Sequence, residues 1–393
     1  MAARLRVVHL GKYYPPSLGG IETHTRTLAQ AQAEAGAEVR VLVVNHRAPD
    51  GRDVTFAPLS STSDAQEADG PVWVYRVGRL ANLARFDVTP QLLTTIRRLV
   101  RWKPDLWHLH TPNVTMMLAV LACPAVRPLV ITHHSDVVRQ RWLKRLVRPL
   151  ELATYRRAAR ILSDSAQYVA GSALLKRFAD RVTSLPLGID QSLFVNPPAL
   201  AESYAQHYRR RYGWPLWLCV GRLVYYKGFT VALEAMQQVP GTLLIIGTGP
   251  LEAGLRQRAE ELNLTNRVIF HGTATTEQLI GAYHAATALW FPSLARSEGF
   301  GLVQVEAMAS GCPVINTAIP ASGVPWVCRH EQEGLTVPVN DPHALAAAAR
   351  RLLTEPGLRT RLAAAGRHRA ATEFDHRVMA ARSLAIYRQV LCS

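Results

Sequence analysis

Short β-branched runs alternate with longer helical patterns along the whole chain, and this rhythm limits the fold more than any other feature. "RVVHLG", "VRVLVVN", "DLWHLH" and "PLVITHH" are interleaved with helical patterns such as 21–35, 90–101 and 139–158. That order marks βαβ units and a parallel sheet. The rhythm then restarts. After the turn-rich, proline-rich stretch "SLPLGIDQSLFVNPPAL" come "LWLCVGRL", "GTLLIIGTG", "RVIFHGT", "ALWFPSL" and "PVINTAI", each followed by a helix or a glycine turn. A second doubly wound sheet is therefore expected, with a boundary near residues 190–200. A chain of 393 residues, 48% of them hydrophobic, is long enough for two domains and too long for one core. The reading is α/β: two doubly wound, Rossmann-like domains, 1–193 and 194–375, facing a central cleft. The last helix, within 376–393, is expected to pack back onto the first domain.

The same sequence sets aside several classes. The opening "MAARLRVVHLGKYY" reads as a β-strand and not a signal peptide, and the longest apolar stretch, "VTMMLAVLACPAV", is short for a bilayer and broken by Pro124. A cytoplasmic or peripheral protein is the expectation. Five scattered cysteines without C-x-x-C spacing argue against a disulfide framework and a zinc site. Lys and Arg exceed Asp and Glu by 45 to 29, and residues 1–190 hold 26 of the former against 15 of the latter. The excess concentrates in "RQRWLKRLVRPLELATYRRAAR", residues 139–160, a basic amphipathic segment suited to anionic lipid or nucleic acid, or to an ordinary solvated helix face.

Ligands of open α/β sheets bind at the carboxyl ends of strands, and the loops there are glycine-rich. Gly19 and Gly20 precede a helix whose free N–H groups suit a phosphate. In "CVGRLVYYKGF", Arg222 is a planar fork and Lys227 a point charge, a pair fit to clamp a diphosphate. "IIGTGPLE" adds a glycine turn at Gly249. Neither motif is a Rossmann fingerprint or a P-loop. In "SEGFGLVQVEAMASGCPVI", Gly299 and Gly301 free the backbone around Phe300, and a helix from Leu302 aims its N–H groups over the turn. Glu298 lies at that turn and can accept bonds from sugar hydroxyls. Glu306 sits inside an apolar helix, where its carboxylate needs a donor such as a ribose hydroxyl. His108 and His110 read most simply as satisfied histidines at the sheet end, since nothing has metal-site spacing.

These motifs together resemble glycosyltransferase family 4, retaining enzymes of the GT-B fold. The E-x7-E pair Glu298 and Glu306, with "GRLVYYKGF" and "GTGPLE" before it, carries the resemblance in the second half. In the first half "YYPPSLGGIETHTRTLA", "HLHTPN", "THHSDVVRQ" and "LPLGID" resemble a bacterial subgroup that makes surface polysaccharides, several members using GDP-mannose. The resemblance implies that Arg222 and Lys227 hold the donor diphosphate and Glu306 the ribose. Glu298, with the backbone of Phe300, Gly301 and Leu302, would hold the transferred sugar and its phosphate, with Gly249 nearby and Gly19 and Gly20 opposite. His134 matches the family's histidine near the sugar, with the adjacent His133 as the alternative. His110, Asp136 and Arg139 are candidates on the acceptor side.

The implied activity is a retaining hexosyl transfer, mannose favoured, from a nucleotide-diphosphate sugar to a glycan, lipid-linked in similar enzymes. GDP-mannose is the favoured donor and a UDP-sugar the alternative. The sequence holds no Asp-x-Asp, so no cofactor and no divalent metal are expected; Arg222, Lys227 and helix N-termini would stabilise the leaving nucleotide. The resemblance also implies a peripheral place on the anionic inner face of the membrane. Two other classes stay open on residues alone: a GT-B sugar-nucleotide epimerase, and a basic nucleic-acid binder, for which no recognised module is present.

Overall fold

The computed structural model describes all residues except 1–3, 18, 49–51, 56, 58, 84–85, 137–140 and 393, and only the backbone of 141–146. Two compact units emerge, one formed by residues 1–188 with 376–393 and the other by residues 189–375.

In the first unit the strands are β1 (Arg6–Leu10), β2 (Glu38–Val44), β3 (Ala65–Asp69), β4 (Val72–Val77), β5 (Ala81–Leu83), β6 (Phe86–Val88), β7 (Leu106–Thr111), β8 (Leu129–His133), β9 (Ala158–Ser163) and β10 (Val182–Ser184). Eight of them form one sheet in the order β10-β9-β8-β7-β1-β2-β4-β3, and β5 and β6 pair separately. Pairing within the eight-stranded sheet is parallel except at β3, which runs antiparallel to β4 along the edge, and β5 and β6 are also antiparallel. That edge strand, "AQEAD", is exposed and charged, a composition that discourages further pairing. The central strands are buried on both faces, which is why they read as nearly unbroken apolar runs.

Period-two alternation divides the central strands into two different faces. Val8, Leu10, Trp107, Leu109 and Ile131 enter one apolar cluster. Val7, Leu106 and Val130 face the other way, together with Leu28 of the helix Gly20–Glu34 and Met379, Leu384 and Tyr387 of the helix His376–Cys392. Further along this second face the residues change character. His9 pairs in register with His108, and His110 with Thr132, so imidazoles and a hydroxyl occupy the carboxyl ends of β1, β7 and β8.

The second unit adds β11 (Leu216–Val220), β12 (Thr242–Ile246), β13 (Val268–Gly272), β14 (Ala288–Phe291), β15 (Val314–Thr317) and β16 (Gly334–Val337), all parallel in the order β13-β12-β11-β14-β15-β16. One cluster built on Trp217, Trp290, Leu243 and Ile245 fills the face against the helices Phe229–Met236 and Pro342–Thr354.

The division falls earlier than the expected 193/194. The Ile189 N–H donates to the Phe374 carbonyl at 3.0 Å and Ile189 bridges Asp375, so the outgoing and returning chain pair side by side and residues 189–193 belong to the second unit. The helix His376–Cys392 then joins the first unit, burying Met379, Ser383, Tyr387 and Val390 at spacings of four, four and three. Because Leu384 sits in that shared core, Leu384→Ala should cost about 2–5 kcal/mol. A urea titration should show a lower midpoint with an unchanged slope for the first unit's transition.

Candidate active site

In the second unit two loops after adjacent strands are locked backbone to backbone. The Gly221 N–H donates to the Ile246 carbonyl and the Leu223 N–H to Thr248, both at 3.0 Å. A Cβ at Gly249 would lie 2.5 to 2.8 Å from the backbone of Leu223, so only glycine allows this approach. Gly249 thereby holds the loop that carries Arg222, which is exposed. After the short turn Tyr225–Lys227, the Lys227 ammonium lies 2.6 Å from Glu298 Oε2. Both side chains are largely buried, at 13% and 12% exposure, which strengthens their attraction beyond that of a surface pair. Sequence reasoning gave Lys227 and Glu298 separate ligands; the structure makes them partners.

Gly301, at φ 76°, starts the helix Leu302–Ala309, and a Cβ there would come within 2.6 Å of the Phe291 ring. The Phe300 side chain belongs to the core, edge-on to Phe374 at 5.5 Å, so only its backbone is available to a ligand. A buried amide pair fixes this turn. Asn316 on β15 donates to Gln304 Oε1 at 2.8 Å, and the Gln304 amide donates to the Phe300 carbonyl at 2.9 Å. Among the described residues nothing accepts from the N–H groups of Phe300, Gly301 or Leu302, which leaves a set of donors at a helix N-terminus.

Glu306 follows on that helix. The sequence demanded a donor for its carboxylate, and Tyr283 provides one, its OH donating to Oε2 at 2.7 Å. Burial raises the Glu306 pKa, opposed by the Tyr283 bond and by the charge of Lys227. The same cation thus acts on both acids of the pair. Tyr283 was missed because nothing in "GAYHA" marks its helix, Thr276–Ala285, as a neighbour of Glu306.

In the first unit Gly20 is exposed and a Cβ there would meet nothing within 4 Å, while Gly19 lies under the Glu22 carboxylate. The candidate histidines form a connected set. His9 Nδ1 lies 3.0 Å from His110 Nε2, and His110 Nδ1 lies 3.1 Å from His134 Nε2. His110 is buried with both nitrogens engaged, so it cannot contact an acceptor directly, contrary to expectation. His108 and His110 also lie within β7 rather than beyond it. His133 is buried in a separate network with the Tyr155 hydroxyl at 2.6 Å and Asp136 at 3.4 Å, whereas His134 is partly exposed. Asp136 also accepts from the Ser172 hydroxyl at 2.9 Å, so its carboxylate is already shared between two structural partners. His24, absent from the sequence candidates, packs T-shaped on His134 at 5.0 Å, and neither of its ring nitrogens has a hydrogen-bond partner.

Arg139 lies outside the described residues. Later in the same segment, Val147, Leu150 and Leu152 pack against the sheet's core, so they offer no apolar face to a bilayer. Arg157 donates to the carbonyls of Cys123 and Pro124 at 3.3 Å and of Val126 at 3.2 Å, closing the end of the helix Val114–Ala122. The basic stripe read from 139–160 is therefore partly structural.

Ring nitrogens of His24, His110 and His134 lie within 4.8 Å of one another, as do those of His9, His108 and His110. His110 belongs to both triples, and both of its ring nitrogens are engaged by His9 and His134, so an ion bound there would displace one of these bonds.

Two α/β units with parallel sheets, the second with a turn of free N–H groups between Glu298 and Glu306, have the architecture of a GT-B glycosyltransferase. Residues 18–193 match the family model described as Glycosyltransferase Family 4, and residues 204–369 match that of Glycosyl transferases group 1. The chain belongs to glycosyltransferase family 4. It is 31% identical over 352 residues to the "O-antigen chain mannosyltransferase C" of Escherichia coli, covering 88% of each chain. It is 30% identical to the "D-rhamnosyltransferase WbpZ" of Pseudomonas aeruginosa, covering 90% of this chain and 87% of that one. Among solved structures it resembles sucrose-phosphate synthase from Thermosynechococcus elongatus, with a TM-score of 0.77 at 25% identity over 99% of this chain and 100% of that one. The family makes the protein a transferase, in place of the epimerase and nucleic-acid readings.

Burial pulls His9 down to about 4, against the Gln32 bond that raises it, and pulls His24 to about 3; His108, His110 and His134 lie well below the ordinary value for the same first cause. Below pH 6.5 the unfolded chain binds protons that the folded chain refuses. This contribution to stability is complete above pH 6.5 and is lost as pH falls towards the folded values. At pH 5 His9 alone should remove about 2 kcal/mol. Urea titrations at pH 7.5 and pH 5 should show the first unit's midpoint falling, and an equal midpoint would refute the neutral cluster.

Proposed function

We propose that this enzyme transfers a hexose, mannose favoured, from GDP-mannose to a lipid-linked glycan during surface-polysaccharide synthesis, with retention at the anomeric carbon. The reading is supported by relatives named as O-antigen mannosyl- and D-rhamnosyltransferases. The observation that carries it is the Lys227–Glu298 pair beside the donor turn Phe300–Leu302, with Glu306 in the field of the same cation. A nucleoside diphosphate brings negative charge that competes with Glu298 for Lys227. In this reading the diphosphate takes Lys227 and Arg222, the turn's N–H groups hold its sugar-side phosphate, Glu306 holds the ribose, and the displaced Glu298 meets the sugar's hydroxyls.

The leaving phosphate gains charge as the glycosidic bond breaks, so contacts to it strengthen in the transition state. No metal is required for that charge in this mechanism: Lys227, Arg222 and the helix N-terminus stabilise it. The acceptor hydroxyl then attacks from the face the phosphate leaves and gives its proton to the departing phosphate, with His134 on the sugar side.

Kinetics and titration test the roles. Lys227→Ala or Arg222→Ala should raise KM and lower kcat, a combined loss of roughly 2–4 kcal/mol. Glu306→Ala should weaken GDP binding. Glu298→Ala should leave GDP affinity intact or tighter, because Lys227 loses its competing partner, while kcat falls. Calorimetry showing GDP binding abolished by Glu298→Ala and spared by Glu306→Ala would reverse the assignment. Nucleotide release from UDP-sugars alone, with a membrane lipid extract as acceptor, would overturn the donor.

Among the described residues no helix is long and apolar enough to cross a membrane. Peripheral docking on the anionic inner face rests on the basic residues before Val147 in the 139–160 segment. Sedimentation with phosphatidylglycerol vesicles should exceed that with phosphatidylcholine and fall with added salt; equal sedimentation counts against docking.

A further inference from the structure

The hydrogen bonds of the first unit determine where each proton of its histidine cluster resides, starting from one backbone carbonyl. Ser383 has a single hydroxyl proton, and it donates to the Ala380 carbonyl at 2.7 Å. The Ser383 oxygen can therefore only accept from Gln32, whose Nε2 lies 2.8 Å away. This orients the Gln32 amide on chemical grounds.

With its nitrogen at Ser383, Gln32 turns its oxygen to His9 Nε2 at 2.8 Å. An amide oxygen only accepts, so His9 carries its proton on Nε2. In a neutral ring the other nitrogen is then a lone pair, and His9 Nδ1 must accept from His110 Nε2 at 3.0 Å. The same step repeats. His110 Nδ1 is a lone pair and accepts from His134 Nε2 at 3.1 Å. His134 therefore holds its proton on Nε2, and its Nδ1 is a lone pair that no described residue occupies. A side branch agrees. The second Gln32 proton goes to the Tyr387 oxygen at 3.1 Å, the Tyr387 proton to His108 Nδ1 at 2.5 Å, and His108 Nε2–H to Thr132 Oγ1 at 2.6 Å. Nowhere do two donors or two acceptors meet.

Burial keeps these rings neutral, as the assignment needs, since the pKa of each is depressed. His134 is the one member of the cluster with part of its surface exposed.

We propose that Gln32, His9 and His110 are positioning residues that lock His134 in its Nε2–H tautomer, so that His134 Nδ1 accepts a hydrogen bond from a hydroxyl of the sugar substrate. The substrate half rests on the reading of His134 given above; the tautomer half does not. If His134 takes up a proton at Nδ1, its Nε2–H bond to His110 is kept, so the ring is protonated without losing its orientation.

Nitrogen-15 NMR of histidine-labelled full-length protein, with His134 assigned from the His134→Gln variant, separates the two halves. The wild-type spectrum should show a protonated Nε2 and an unprotonated Nδ1 for His134; the opposite tautomer overturns the proposal without any variant having to fold. Gln32→Met should convert His134 to a tautomer mixture and lower kcat by up to about 100-fold with KM little changed. A Gln32→Met spectrum identical to wild type overturns the chain. Full turnover by His134→Ala, with the expected wild-type spectrum, overturns the substrate role and the placement of His134 at the sugar, and leaves the tautomer lock standing.

Discussion

A parallel sheet covered on both faces has no water to satisfy a polar side chain, so each one buried there needs a partner within the protein. The first unit places His9, His108 and His110 at the carboxyl ends of its central strands, beneath helices. Their partners must come from those helices. The helix Gly20–Glu34 supplies Gln32, and His376–Cys392 supplies Ser383 and Tyr387. Residues more than 350 positions from Gln32 thereby complete a hydrogen-bond network that ends at His134. The apolar halves of the same strands give those helices their footing, through Val7, Leu106 and Val130.

The second unit solves a related problem with charge. Lys227 faces Glu298 directly and acts on Glu306 at longer range, so one cation serves both acids. In the proposed mechanism, diphosphate recognition and sugar recognition are then not independent: a phosphate that draws Lys227 away releases Glu298. Around this pair the backbone is held by close packing and buried amides: Gly249 against Leu223, and Asn316 and Gln304 against Phe300.

Much of this architecture was legible before any coordinates, for a physical reason. Parallel strands buried on both faces read as unbroken apolar runs, and so "VRVLVVN" and "GTLLIIGTG" announced themselves. The edge strand "AQEAD", the short Val182–Ser184 and the final Gly334–Val337 did not, because polar or very short strands carry no such signature. Candidate residues inside a contiguous motif are legible in the sequence; contacts made only through register are not. His9, His110 and Gln32 meet because three elements align, and nothing local in "RVVHL" predicts that its histidine will sit beside "HLH". A polar residue in an otherwise apolar strand was the one available hint. Lys227 and Glu298 are 71 positions apart, and their pairing depends on loops after β11 and β14 that lie side by side in the sheet.

The returning helix has a consequence for how the chain is made. Residues 189–375 form an uninterrupted unit inserted between two pieces of the other. On a ribosome, the inserted unit has all of its residues before the flanking one does, although the flanking one begins first. Until His376–Cys392 emerges, the face bearing Val7, Leu106 and Val130 lacks its cover, and Gln32 lacks the serine that orients it. The nascent first unit therefore carries an uncovered apolar surface through the synthesis of the whole second unit. Premature termination within residues 376–393 would damage the half of the protein encoded first, and spare the half encoded next to the break.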